Sequence, residues 1–166
     1  MCITFLYTNP SGADGRPRLI LINNRDEKMT RKSSPPKWHN GILASFDESA
    51  GPGRLGGTWL AMDRRGRVAT LMFLLQDQQQ VKTTPLTARR AKGHVVVDFL
   101  GDTDRTPTEF AEWAQAQYKS KTTGFASVLV DVVSPPKTDC QAVYFNNNLH
   151  GAGVVESLPI GELNNG

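Results

Sequence analysis

Cys2 has the clearest chemical potential of any residue in the chain. Once Met1 is removed, its thiol sits beside a free α-amine. That amine has an unperturbed pKa of about 7.7–8.0, so it can take a proton near neutral pH. An N-terminal nucleophile therefore carries its own general base. The plainer use of the same residue is as a small apolar side chain at the start of a strand. A second group stands at Asn24-Arg25-Asp26-Glu27, which sets an amide, a cation and two acids at the end of an apolar run. Arg25 can donate to a thiolate or a carbonyl oxygen and lower a thiol pKa. Asp26 can accept from an α-ammonium and orient it. The plainer reading is a surface turn held by an Arg–carboxylate pair. In either case Arg25 is expected to be partly buried and paired with Asp26 or Glu27.

Other chemistries find little footing. His39, His94 and His150 show no metal-ligand spacing with one another or with Cys2 and Cys140, so no metal site is expected. There is no Cys-x-x-Cys-His haem attachment run, no Gly-x-Gly-x-x-Gly, no P-loop and no Gly-x-Ser-x-Gly. Gly56-Gly57-Thr58-Trp59 reads as a bend before a strand, with Trp59 packed in the core. Arg64-Arg65-Gly66-Arg67 and Arg89-Arg90-Ala91-Lys92 are basic clusters without nearby aromatics. They read as a solvated turn and a solvated helix end, and nucleic acid is not an expected partner.

The elements that must position these groups are legible in outline. Cys2 to Tyr7 is β-branched and aromatic, hence a strand. Arg18 to Asn23 is a second apolar run, expected to be a buried strand, and the two suggest a hairpin across the turn-rich residues 9–15. Residues 30–41, with Pro35-Pro36, read as a loop. Gly41 to Ser45 is a short strand. Thr58 to Met62 and Val68 to Leu74 flank Asp63-Arg64-Arg65-Gly66 and predict a second hairpin. Thr87 to Leu100 reads as a helix, weakened by Gly93. A second helix opens at Thr106-Pro107, where proline suits the first turn. Phe125 to Val133 and Gln141 to Phe145 are strands separated by a turn at Ser134-Pro135-Pro136-Lys137. Beyond Asn146 the pattern dissolves. Strands, then helices, then strands argue for α+β with antiparallel sheets.

Composition sets the outer limits. With 166 residues, 39% of them hydrophobic and 21% charged, the chain suits one domain over 1–166 with a buried core. Disorder, collagen and coiled coil do not fit. The net charge of +3 is a mild basic excess that identifies no partner. Two cysteines cannot build a disulfide framework and suggest a reducing compartment. No apolar run approaches the roughly 18 residues of a membrane span, and neither a secretory signal nor an Arg-rich presequence is expected.

Met1-Cys2-Ile3, Leu19 to Glu27, Gly56-Gly57-Thr58-Trp59-Leu60 and Gly66-Arg67, in that order, resemble the transport and Golgi organisation protein 2 family, also called the Asn-Arg-Asp-Glu family. Ala91-Lys92-Gly93 into Val97-Asp98-Phe99-Leu100 is similar to the family's next helix. Gly124-Phe125 is similar to its following strand start. The resemblance implies a fold like that of N-terminal-nucleophile hydrolases, an αββα sandwich of antiparallel sheets flanked by helices, here incomplete at the C-terminus. It implies a cytoplasmic protein associated with Golgi and mitochondria, with roles in Golgi organisation, secretion, haem mobilisation and lipid homeostasis. No cofactor is required, and haem enters as a transported ligand. The expected partner is a small-molecule or protein ligand, with haem or lipid as candidates. Asn24, Glu27, Gly56, Gly57, Thr58 and Trp59 are the binding candidates. Cys2, Arg25 and Asp26 are the catalytic candidates of the alternative, a cysteine amidohydrolase. Two departures weigh against turnover. The family's Asn in the strand after Gly66-Arg67 is missing from Leu71-Met72-Phe73-Leu74, and the Asn after Gly-Phe is Ala126. Such amides could serve as oxyanion donors.

Overall fold

The computed structural model describes residues 2–9, 15–50, 56–74, 91–118, 122–132, 140–147 and 153–158. Nine strands and two helices are described: β1 Ile3–Thr8, β2 Leu19–Asn24, β3 Lys37–His39, β4 Ile42–Ala44, β5 Leu60–Asp63, β6 Arg67–Phe73, α1 His94–Gly101, α2 Pro107–Tyr118, β7 Phe125–Asp131, β8 Gln141–Asn146 and β9 Val155–Ser157. β1 and β2 form a two-stranded sheet. β3 to β9 form a seven-stranded antiparallel sheet in chain order. Both helices lie between β6 and β7, which are nevertheless direct neighbours in the sheet.

The layers follow from which face each side chain takes. Ala69 and Leu71 of β6 and Phe125 and Leu129 of β7 join Val95, Val96, Phe99, Phe110 and Ala114 in the core beneath the helices. Val68 and Met72 of β6 and Val128 and Val130 of β7 face the other way, toward Leu6, Leu19 and Leu21 of the hairpin. This alternation is the period-two signature of strands. It makes a helix layer, a large sheet and a small sheet. The expected α+β class with antiparallel sheets is thus what is seen. A second helical layer is not among the described residues.

Several elements differ from the sequence reading. The β2 run was expected to be buried, but only alternate residues are covered: Phe5 is 64% and Ile22 58% exposed on the outer face of the hairpin. An all-apolar strand hides its two-sidedness, because nothing in the side-chain types says that one face lacks a neighbour. Residues 30–41 were expected to be a loop, yet β3 pairs with β4 through Asn40-Gly41, both at positive φ (48° and 81°). An Asn-Gly pair in the left-handed region is the favoured two-residue hairpin turn, and that signal was available. The helix expected from Thr87 begins at His94 among the described residues, with Gly93 at its N-cap. Residues 87–90 lie outside them, as does the expected turn at 134–137. β9 forms where the pattern was expected to dissolve, because its backbone pairs with β8.

The basic cluster at 64–67 is a solvated turn only in part: Arg64 and Arg65 are exposed in the turn, but Arg67 opens β6 and is buried. Arg67 is 8% exposed, and its guanidinium bonds Asp131 at 3.1 Å and the Arg105 carbonyl at 2.7 Å. It also donates to the carbonyls of Asp102 and, at 3.5 Å, Phe99. Arg65 donates to the Leu100 carbonyl and pairs with Asp63 at 2.7 Å. Arg64 stacks 4.0 Å from the Trp38 ring. Two of the three arginines thus take up carbonyls at the C-terminal end of α1, where cations are favoured.

Candidate functional site

Hairpin register brings the first candidates together. Ile3 pairs with Asn24, so Cys2, just before β1, and Arg25, just after β2, emerge at the same end of the small sheet. That end opens on a cleft of about 720 Å³. Cys2, Arg25, Asp26 and Glu27 line one side of it. Gly57, Thr58 and Trp59, leading into β5, and Leu71 and Phe73 of β6 form its floor and wall. Lys92 and Gly93, at the N-terminus of α1, and Thr122 and Thr123, before β7, close the far side.

Arg25 is half-buried. Its guanidinium carbon lies 4.2 Å from the Trp59 ring centroid, and a guanidinium nitrogen stands 4.0 Å from Glu27. Glu27 also takes Arg31 at 2.9 Å, and Arg31 reaches Asp47 at 2.6 Å. A ladder of alternating charge, Arg25–Glu27–Arg31–Asp47, therefore runs along one rim. The Glu27 carboxyl is held below its usual range, first by the Lys28 backbone N–H that it accepts and then by Arg31 and Arg25. Burial pushes the Asp47 carboxyl up, but hydrogen bonds from Ser49 and Arg31 outweigh it and the net direction is down. The Asp26 carboxyl is lowered by the α-ammonium that Met1 carries, not by an amine on Cys2.

Close backbone approach explains the glycines. A Cβ on Gly57 would stand 2.6 Å from the Gly93 backbone, so only glycine lets the strand leading into β5 pass the start of α1. The Thr58 hydroxyl donates to the Ser45 carbonyl, just after β4, at 2.7 Å, and its backbone N–H donates to the Gly93 carbonyl at 3.1 Å. Gly56 packs on the Asp47 backbone and, like exposed Asn24, is not part of the cleft lining. Of the residues singled out from sequence, Cys2, Arg25, Asp26, Glu27, Gly57, Thr58 and Trp59 converge on the cleft; Asn24 and Gly56 do not.

Lys92 is the residue that sequence reasoning missed. Expected as part of a solvated helix end, it instead lies half-buried in the cleft. Its Nζ donates to Thr123 Oγ1 at 3.1 Å and sits 3.5 Å from the Phe73 ring centroid. Burial, and next the nearby Arg31 charge, push its pKa down to about 8 from 10.5, against the opposing pull of Glu27 and Cys2. The other members of that cluster, Arg89 and Arg90, lie outside the described residues. The threonines beside it are held by Asn147, which is 1% exposed. Asn147 accepts the Phe125 N–H at 2.7 Å and donates to Thr122 at 2.9 Å.

The arrangement offers a thiol, a partly desolvated amine, a stacked guanidinium and an apolar wall. No Asn or Gln side chain is among the described residues of the lining, and Ala126 pairs with Met72 across the sheet where the resemblance expects amides. No group of three or more His, Cys, Asp or Glu that could hold a metal occurs among the described residues.

Comparison with known proteins gives a consistent result. Residues 1–162 match the family profile described as Transport and Golgi organisation 2. The human Transport and Golgi organization protein 2 homolog is 36% identical over 104 residues, covering 60% of this chain and 35% of that protein. Transport and Golgi organization protein 2 of Drosophila melanogaster is 31% identical over 105 residues, covering 63% of this chain and 36% of that protein. An uncharacterized protein of Saccharomyces cerevisiae is 38% identical over 86 residues, covering 49% of this chain and 26% of that protein. The matched segment thus spans about a quarter to a third of the length of these relatives.

Proposed function

Because this chain belongs to the Transport and Golgi organisation 2 family, we propose that it serves Golgi organisation and protein secretion by binding a ligand in the cleft, without turnover. The relatives' names carry the cellular half of this reading. The cleft carries the molecular half. It joins Cys2 and Arg25–Glu27 from one sheet to Gly57–Trp59 from the other, and its lining mixes apolar wall with cationic rim. Sites of this size with an apolar wall and a few placed polar groups suit small molecules. Haem and lipid are the candidate ligands implied by the resemblance, and a cytoplasmic protein associated with Golgi and mitochondria is the setting it implies. No helix among the described residues is long and apolar enough to cross a membrane.

Titration of the chain with hemin and with palmitate, followed by tryptophan fluorescence, tests the binding reading. Substitution of Arg25 or Trp59 is expected to weaken whichever ligand binds. Substitution of His39, His94, His150 or Cys140 alone is expected to leave a haem spectrum unchanged, since haem contact is read as weak and independent of one axial ligand. Unaltered affinity in both Arg25→Ala and Trp59→Ala chains would sink the assignment of the cleft. In cells depleted of the chain, slowed secretion should be rescued by the wild type and by Cys2→Ala, but not by Arg25→Ala.

The second reading is a cysteine amidohydrolase with Cys2 as nucleophile, Arg25 as thiolate or oxyanion partner and Asp26 orienting the amine. Its support is that these three residues line one cleft. The absence of an amide from the described lining weighs against it. Sustained amide hydrolysis lost in Cys2→Ala would reverse the order of the two readings.

A further inference from the structure

The geometry points to Lys92 as a covalent capture site, an amine that forms an imine with an aldehyde whose apolar body rests on Phe73, Leu71 and Trp59. Three features of the cleft support this. First, the amine lies in the cleft rather than on a solvated helix end, against the ring face of Phe73 at 3.5 Å. Second, among the described residues it has no carboxylate ion pair. The nearby acids are engaged elsewhere, Glu27 with Arg25 and Arg31 and Asp47 with Arg31. Third, Thr123 Oγ1 stands 3.1 Å from Nζ. That hydroxyl can orient the neutral amine and then donate to the oxygen of the tetrahedral adduct.

The reaction balances without any co-reactant. The Lys92 nitrogen forms a bond to the aldehyde carbon, and both amine hydrogens leave with the carbonyl oxygen as water. No electron is transferred. The charged and titratable groups that face Lys92 are Arg31, Glu27 and Cys2, with Arg25 and Asp47 on the same rim. The cation is disfavoured by burial and by Arg31, so neutral amine is present near pH 8. A role as a plain anion anchor is less well served. Such a role wants the charged form, which this environment penalises.

This inference deepens the reading of the cleft as a ligand site and rests on it. Its test separates the two. The full chain is incubated with hexanal and cyanoborohydride from pH 6 to 10, and the reduced adducts are mapped by peptide mass spectrometry. At pH 8 Lys92 should be modified at least about tenfold faster than Lys28, Lys32 or Lys37, because an exposed lysine is almost wholly protonated there. Lys92→Arg should remove that fast adduct. Thr123→Val should slow it while the melting temperature stays within a few degrees. Labelling of Lys92 no faster than that of the exposed lysines in the wild-type chain would overturn the proposal, whatever the variants do. If hemin or palmitate still bound under those conditions, the binding reading would stand and only the imine would fall. Fast labelling unchanged by Thr123→Val would remove Thr123 as the positioning residue.

Discussion

The Arg25 guanidinium stacks 4.2 Å over the Trp59 ring and so ties the end of the small sheet to the strand entering the large one. The two residues come from two of the motifs that carry the family resemblance, and both line the same cleft. A cation on an indole face is worth about 0.5–2 kcal/mol, more where water is excluded. Trp59→Leu and Arg25→Met should each lower the unfolding free energy, and a double-mutant cycle in urea should return a coupling of about 1 kcal/mol. A coupling near zero would show that the stack does not hold the two sheets.

Arg67 should matter more for folding than for binding. It is 8% exposed and bonds Asp131 together with carbonyls in the segment between the helices. Removing one partner of a buried charged network leaves the others desolvated and unpaired, at a cost of about 3–5 kcal/mol. Arg67→Met should reduce stability by that order in chemical denaturation. Arg67→Lys should recover only part, because an ammonium cannot reproduce the planar fork. A change under about 1 kcal/mol for Arg67→Met would contradict a buried network.

Lys92 should make stability depend on pH in the alkaline range. Its folded-state pKa is lowered to about 8 from 10.5, so between those values the unfolded chain binds more protons than the folded one. Stability contributed at this residue therefore rises with pH through that window and is lowest, and constant, below it. Compared with Lys92→Met, the wild type should be less stable at pH 7 by at most about 3 kcal/mol, reduced by solvent screening at this half-buried site. The gap should narrow between pH 8 and 10.5. A gap that widens there would mean that the amine is held as a cation.

The two cysteines should separate on alkylation. Cys140 is 3% exposed, and burial pushes its thiol pKa up. Cys2 is only partly covered and lines the cleft. Iodoacetamide at neutral pH should label Cys2 at least about tenfold faster than Cys140, since reaction needs an accessible thiolate. Equal rates would mean that the Cys140 region opens as readily as the cleft. Intact mass of the same sample reports whether Met1 has been removed, the entry condition for any nucleophilic role of Cys2.

Much of this was already legible in the residues. β-branched and apolar runs together with turn composition located β1, β2, β4, β5, β6, β7 and β8, and the strand–helix–strand order gave the class. Asn40-Gly41 carried a readable hairpin signal, outweighed in our reading by the prolines before it. Arg25 was expected to be partly buried and paired with an acid, and it is half-buried 4.0 Å from Glu27. These features rest on short-range rules: β-propensity of apolar runs, turn residues, and opposite charges close in sequence.

Tertiary structure alone decided where Lys92, Arg67 and the outer face of the hairpin lie. In sequence, Lys92 and Arg67 belong to clusters of the kind that usually face water. Packing buried one against Phe73 and the other between α1 and β7, because free carbonyls and an apolar wall happened to converge there. The exposure of Phe5 and Ile22 likewise depends on which layer covers which face, and no local pattern encodes that. The chain itself determined which groups could do chemistry. The register Ile3 to Asn24 and the passage of Gly57 beside Gly93 determined that they meet. Both are long-range contacts, fixed by the summed burial of a whole sheet rather than by any residue's own preference.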